Sequence, residues 1–73
     1  MSVRLNADDR EVLTYLAGVE RASGATVQGA VTVWPVRSTL DRLRRKHLIE
    51  HDGERALAYR IWWITDAGRE AIA

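Results

Sequence analysis

Apolar residues recur at spacings of three and four through Val12, Tyr15, Leu16 and Val19, the period that lines one face of a helix. Asn6 stands ahead of Ala7, Asp8 and Asp9, where its side chain can cap orphan amides and the two carboxylates meet the positive end of the helix dipole. The spacing predicts a first helix from the Asn6 cap to about Ala22, with the Val12 to Val19 face in the core and Ser23-Gly24 as its stop. From Ala25 to Trp34 the signals conflict, because Thr26, Val27, Val31, Thr32 and Val33 favour strand while Gly29 weakens a helix. A short strand or bend is expected there, then a short second helix near Val27 to Val31. Pro35 suits the first turn of a helix, where its missing amide hydrogen would be unpaired anyway, and it pushes Trp34 into an extended or turn conformation.

A third helix, residues 35–46, carries Val36, Leu40 and Leu43 on one stripe, with Ser38, Asp41, Arg42 and Arg45 opposite. Arg37 and Arg44 border the stripe on one side, Thr39 and Lys46 on the other. Leu48 to His51 reads as a strand, Asp52-Gly53 as a tight turn, and Leu57 to Ile64 as the returning strand of a hairpin. Neighbouring strand residues leave opposite faces, so Trp62 and Trp63 cannot both be core. Trp62 is expected inward with Ile64, and Trp63 outward with Ile61 and Tyr59. Thr65 is the predicted cap of a last short helix that begins with Asp66-Ala67-Gly68-Arg69-Glu70.

Seventy-three residues fit one small domain, residues 1–73, of modest stability unless it oligomerises. Charge changes the picture more than length does. Pro35 to His47 holds five bases against one acid, a net of +4, whereas the rest of the chain holds six against nine, a net of −3. A basic helix on a mildly acidic body is the asymmetry expected where one face meets nucleic acid phosphate. The absence of cysteine removes disulfides and thiolate zinc sites, which suits a reducing compartment, and the cytoplasm is the expected location. No apolar run approaches the length of a membrane span, and Met1 to Leu5 does not open a signal peptide.

Three segments carry a resemblance to a known family. Leu5 to Leu13 (LNADDREVL) is similar to the opening helix of MarR-type regulators. Asp41 to Ile49 (DRLRRKHLI) resembles the end of their recognition helix and first wing strand, and Ile64 to Arg69 (ITDAGR) resembles the segment closing the wing in the MarR and PadR families. The resemblance implies an α+β fold, a small winged helix-turn-helix with a three-helix core, a β-hairpin wing and a short C-terminal helix. It implies sequence-specific binding of double-stranded DNA by a small transcriptional regulator or repressor, with helix 35–46 in the major groove. The sequence departs from the family pattern at His47, where glycine usually ends the helix in a left-handed conformation. It departs again at the wing tip, Asp52-Gly53-Glu54-Arg55, which offers one base against two acids. The chain ends at Ala73, so the long flanking helices through which those families dimerise are expected to be absent or reduced to one or two turns.

Within that frame Arg37, Ser38, Asp41 and Arg42 are the base-reading candidates, and Arg44, Arg45, Lys46 and Arg55 the phosphate candidates. Only Asp41 interrupts the five bases, so the run lacks the mixed signs of a merely solvated face. Tyr59, Ile61 and Trp63 form an outer stripe, either covered by the N-terminal arm or tail helix or serving as a partner or dimer surface. Trp34 is expected to wedge between the second and third helices rather than meet DNA, an alternative its turn position leaves open. Assembly on DNA as a homodimer or cooperatively is expected from the small size. Two further readings are a winged-helix protein–protein interaction module acting through Trp63, and an architectural DNA-binding factor of a phage or mobile element. His47 and His51 lack the further ligands of a metal site. No catalytic set and no phosphate-binding glycine loop appear, so neither enzyme activity nor a cofactor is expected, and no membrane partner.

Overall fold

The computed structural model describes residues 4–53 and 56–73, with Leu57 described by its backbone only. Helix α1 (Ala7–Val19) opens on a reciprocal cap. Asn6 Oδ1 accepts from the Asp9 amide at 2.8 Å, and the Asn6 amide donates to the Asp9 carboxylate at 3.2 Å. The helix ends three residues before the expected Ala22, because Glu20 turns the backbone to φ 69° and Arg21–Ser23 becomes strand β1. Val19, expected in the core, is therefore 41% exposed, and the buried stripe of α1 runs through Val12, Leu13 and Leu16. Ser23 does not stop a helix but starts one. Its Oγ accepts from the Thr26 amide at 3.1 Å, capping α2 (Gly24–Ala30). The strand propensity expected after Ala25 is thus overridden: the helix starts earlier, and the strand lies before it.

Helix α3 (Arg37–Arg45) begins after Pro35 rather than on it, with Val36 in the cap position. Val36, Thr39, Leu40 and Leu43 are buried, which adds Thr39 to the expected stripe. Past Lys46, His47 takes φ 61°, the left-handed conformation implied by its alignment with a glycine position. The His47 amide donates to Arg44 O at 2.9 Å and the Leu48 amide to Leu43 O at 3.1 Å, which satisfies two of the carbonyls in the last turn of the helix. Leu43 and Leu48 are both buried at this junction.

The sheet is antiparallel in the order β1-β3-β2, with β2 at Ile49–His51 and β3 at Ile61–Ile64. Ala22 and His51 both pair with Trp62, and Ile49 pairs with Ile64. The returning strand is shorter than the expected Leu57 to Ile64, because Leu57–Tyr59 closes into a 3₁₀ turn, β3 starting after it. Asp52-Gly53 is consequently not a two-residue hairpin turn; it opens a longer loop, closed by the Asp52 carboxylate accepting from the Ile61 amide at 2.9 Å. Trp62 is fully buried and Ile64 nearly so, whereas Ile61 and Trp63 are half-buried, as strand alternation predicts.

Helix α4 (Asp66–Ile72) is capped by Thr65, whose Oγ accepts from the Gly68 amide at 3.1 Å and donates to His47 O at 2.7 Å. Gly68 lies against the residue that leads into β2 so closely that a Cβ there would stand 2.1 Å from the Leu48 carbonyl oxygen. Only glycine fits that contact. The core joins the buried faces of α1 and α3 to Val27 of α2 and to Trp62 and Ile64 of the sheet.

Candidate nucleic-acid interface

Down the axis of α3, Arg37, Asp41, Arg45 and Ser38 fall within one arc of about 100°, opposite the buried Thr39, Leu40 and Leu43. Two further arginines flank that arc, and each is tied to an acid from another element. On one flank Arg42 Nη2 meets Asp9 Oδ1, and its Nε donates to the same oxygen at 3.2 Å. Asp9 is 1% exposed and already serves the α1 cap, so Arg42 neutralises a carboxylate buried between two helices. On the other flank Arg44 Nε lies 3.4 Å from Glu50 of β2. The arc between them stays open to solvent. Arg37 approaches Asp41 only at 4.0 Å, with its side chain largely exposed. Arg45 is exposed and makes no side-chain bond among the described residues.

The structure thus brings Arg37, Ser38 and Asp41 of the base-reading candidates onto one accessible face, and turns Arg42 toward α1. Among the phosphate candidates, Arg45 is open, Arg44 reaches Glu50, and Lys46 Nζ donates to Arg4 O at 3.1 Å. Arg55 lies outside the described residues. Tyr59, Ile61 and Trp63 do not form one strand stripe, because Tyr59 belongs to the 3₁₀ turn. The Arg21 guanidinium of β1 sits 4.9 Å over the Trp63 ring, a cover that comes from neither the N-terminal arm nor the tail helix.

Periodicity alone did not point to Asp9 or Gln28. Asp9 had one signal: it precedes Leu13 and Leu16 by four and seven residues, on the buried stripe, where a carboxylate needs a cationic partner. Gln28 spans the turn between α2 and α3, its amide nitrogen donating to Val33 O at 2.7 Å and its amide oxygen accepting from the Val36 amide at 2.8 Å. Glu11 holds the same turn from α1, accepting from both the Thr32 amide and hydroxyl at 2.6 Å. Those bonds from Thr32 hold the Glu11 carboxyl below its ordinary range. Trp34, expected as a wedge between helices, is instead 81% exposed, because Val33 and Val36 on either side take the buried places.

Among solved structures, the oxidized form of MarR from E. coli superposes with a TM-score of 0.79 at 17% identity, covering 93% of this chain and 50% of that one. A mutant MarR from E. coli complexed with operator DNA gives 0.80 at 17% identity, over 93% and 51%. ZitR, a zinc-responsive MarR family member from Lactococcus lactis, gives 0.79 at 20% identity, over 99% and 51%. The fold is a winged helix-turn-helix. Helices α2 and α3 form the helix-turn-helix, and β2 and β3 the wing. The chain spans about half the length of the structures it matches. No family model and no curated protein matches it. No helix among the described residues is long and apolar enough to cross a membrane.

Proposed function

We propose that this chain binds double-stranded DNA sequence-specifically as the DNA-binding unit of a transcriptional regulator, with α3 in the major groove. The observation that carries the reading is the open arc of α3, where Arg37, Ser38, Asp41 and Arg45 face solvent between two anchored arginines. A helix entering the groove needs short polar residues and bidentate donors near its start and cations further along to hold phosphates. Arg37, Ser38 and Asp41 then meet base edges, and Arg45 takes phosphate, with Arg44 and Lys46 beside it. Arg42 acts as a positioning residue, fixing the angle of α3 against α1 through Asp9. One of the similar structures holds operator DNA, which supports the same use of the fold here. A single module making about four phosphate contacts binds weakly and loses affinity steeply with salt, so occupancy as a homodimer or in cooperative arrays follows from the chemistry.

The test is a mobility shift over a salt series, using duplexes enriched from a randomised pool. Arg37→Ala is expected to relax discrimination at one base position. Arg45→Ala should weaken all duplexes alike and reduce the log–log salt slope by about 0.9. Binding unchanged by both substitutions, or no duplex bound at low salt, would overturn the reading.

A further inference from the structure

Two of the three tryptophans are accommodated by the fold, Trp62 in the core and Trp63 beneath Arg21; Trp34 is the exception. An indole is among the largest apolar groups a chain can bury, and leaving it in water forgoes that gain. The exposure does not arise from a loose loop. Val33 and Val36 are buried on either side, Gln28 bonds the backbone of both, and Glu11 grips Thr32. A turn anchored at three residues therefore holds the ring outward, three positions before Arg37.

We propose that Trp34 is itself a DNA-contacting residue, its indole packing on apolar carbon surface of the duplex, a thymine methyl group or a deoxyribose edge, while Arg37 and Arg45 make the polar contacts. The inference rests on the reading of α3 as the major-groove helix. The leading end of such a helix is the end that meets base edges, and the thymine methyl is the apolar mark displayed there. Charge selects the occupant. The helix that Trp34 precedes is basic and exposes no large apolar residue of its own, so the ring adjoins a face built for a polyanion rather than an apolar peptide groove.

Intrinsic fluorescence and binding anisotropy of the full chain, titrated with a pool-enriched duplex, test this. Saturation should shift the tryptophan emission, and Trp34→Phe should remove most of that change, since Trp62 is buried and Trp63 is half-buried beneath Arg21. Trp34→Ala should weaken binding roughly tenfold or more, as expected of an aromatic contact, with the urea midpoint unchanged. Uracil placed for thymine across the site locates the contact. Closure of the gap between wild type and Trp34→Ala at one position assigns the methyl group, and a gap that persists throughout assigns the sugar; both support the proposal. If Trp34→Ala binds like wild type and emission does not respond, while Arg37→Ala and Arg45→Ala lose binding, the Trp34 contact is overturned and the α3 reading stands. If no duplex binds at low salt, the α3 reading fails and takes the contact with it.

Discussion

The two ends of α3 are secured by different means. At the N-terminal end the cap residue Val36 has no side-chain acceptor to offer the helix, and the turn before it depends on Gln28 and Glu11, polar side chains reaching in from other helices. At the C-terminal end most of the holding is between backbone groups, joined by the Thr65 hydroxyl on His47 O. His47 and Leu48 return their amides to Arg44 and Leu43, the Thr65 amide donates to Leu48 O at 3.0 Å, and Gly68 presses on the same carbonyl. A side-chain brace can be removed by deleting atoms. A backbone contact is broken only by adding them. The end that carries Arg37 and Trp34 is therefore adjustable by ordinary substitutions, while the end that joins the wing tolerates almost none at Gly68.

Four substitutions probe that contrast. Gly68→Ala should have the largest effect, because the new methyl would sit 2.1 Å from Leu48 O and 2.6 Å from the Ile64 side chain, and the Leu48 backbone cannot yield cheaply. A loss of about 3 kcal/mol in urea unfolding is expected despite alanine's better helix propensity; a stable Gly68→Ala would show that the wing-side junction gives way as readily as the other. Gln28→Ala should come next, at about 1–2 kcal/mol for two hydrogen bonds left unmade. It should also broaden the environment of Trp34, read as increased acrylamide quenching relative to wild type. His47→Gly is expected to stabilise by about 0.5–1 kcal/mol, since the left-handed φ of 61° no longer carries a Cβ. A thermal melt that falls instead would mean the imidazole makes a contact stronger than the strain.

The smallest effect concerns acid. Glu11 has its carboxyl lowered from an ordinary 4.5, chiefly by the Thr32 hydroxyl and then by the Thr32 amide. A depressed carboxylate contributes stability that is present above 4.5 and is lost as pH falls through the folded value. Glu11→Gln should therefore lower stability slightly at neutral pH and flatten the acid limb of the stability curve. An acid limb identical to wild type would detach Glu11 from the support of the turn.

What was legible in the chain follows the reach of each interaction. The α3 stripe, the Thr65 cap, the left-handed His47 and the opposed faces of Trp62 and Trp63 all follow from short-range spacing or from local motif likeness. Strand β1 was not legible, because three residues carry no period and Arg21–Ser23 is extended only through its pairing with a strand forty residues later. The same pairing shortened α1 and exposed Val19. At the candidate interface, a helical wheel placed Arg42 on the open side, since it knows nothing of a carboxylate thirty-three residues away. Trp34 was misplaced for a related reason: its exposure depends on which neighbours Gln28 draws inward.

The strand order has a consequence for synthesis. Among the described residues both outer strands pair with β3, which is written after them, at Ile61–Ile64. A nascent polypeptide that has already emitted α1, α2 and α3 still lacks the hub onto which Ala22 and Ile49 must zip. Helices can form early, but the sheet cannot close until Trp62 has cleared the ribosome, because both outer strands take their register from β3.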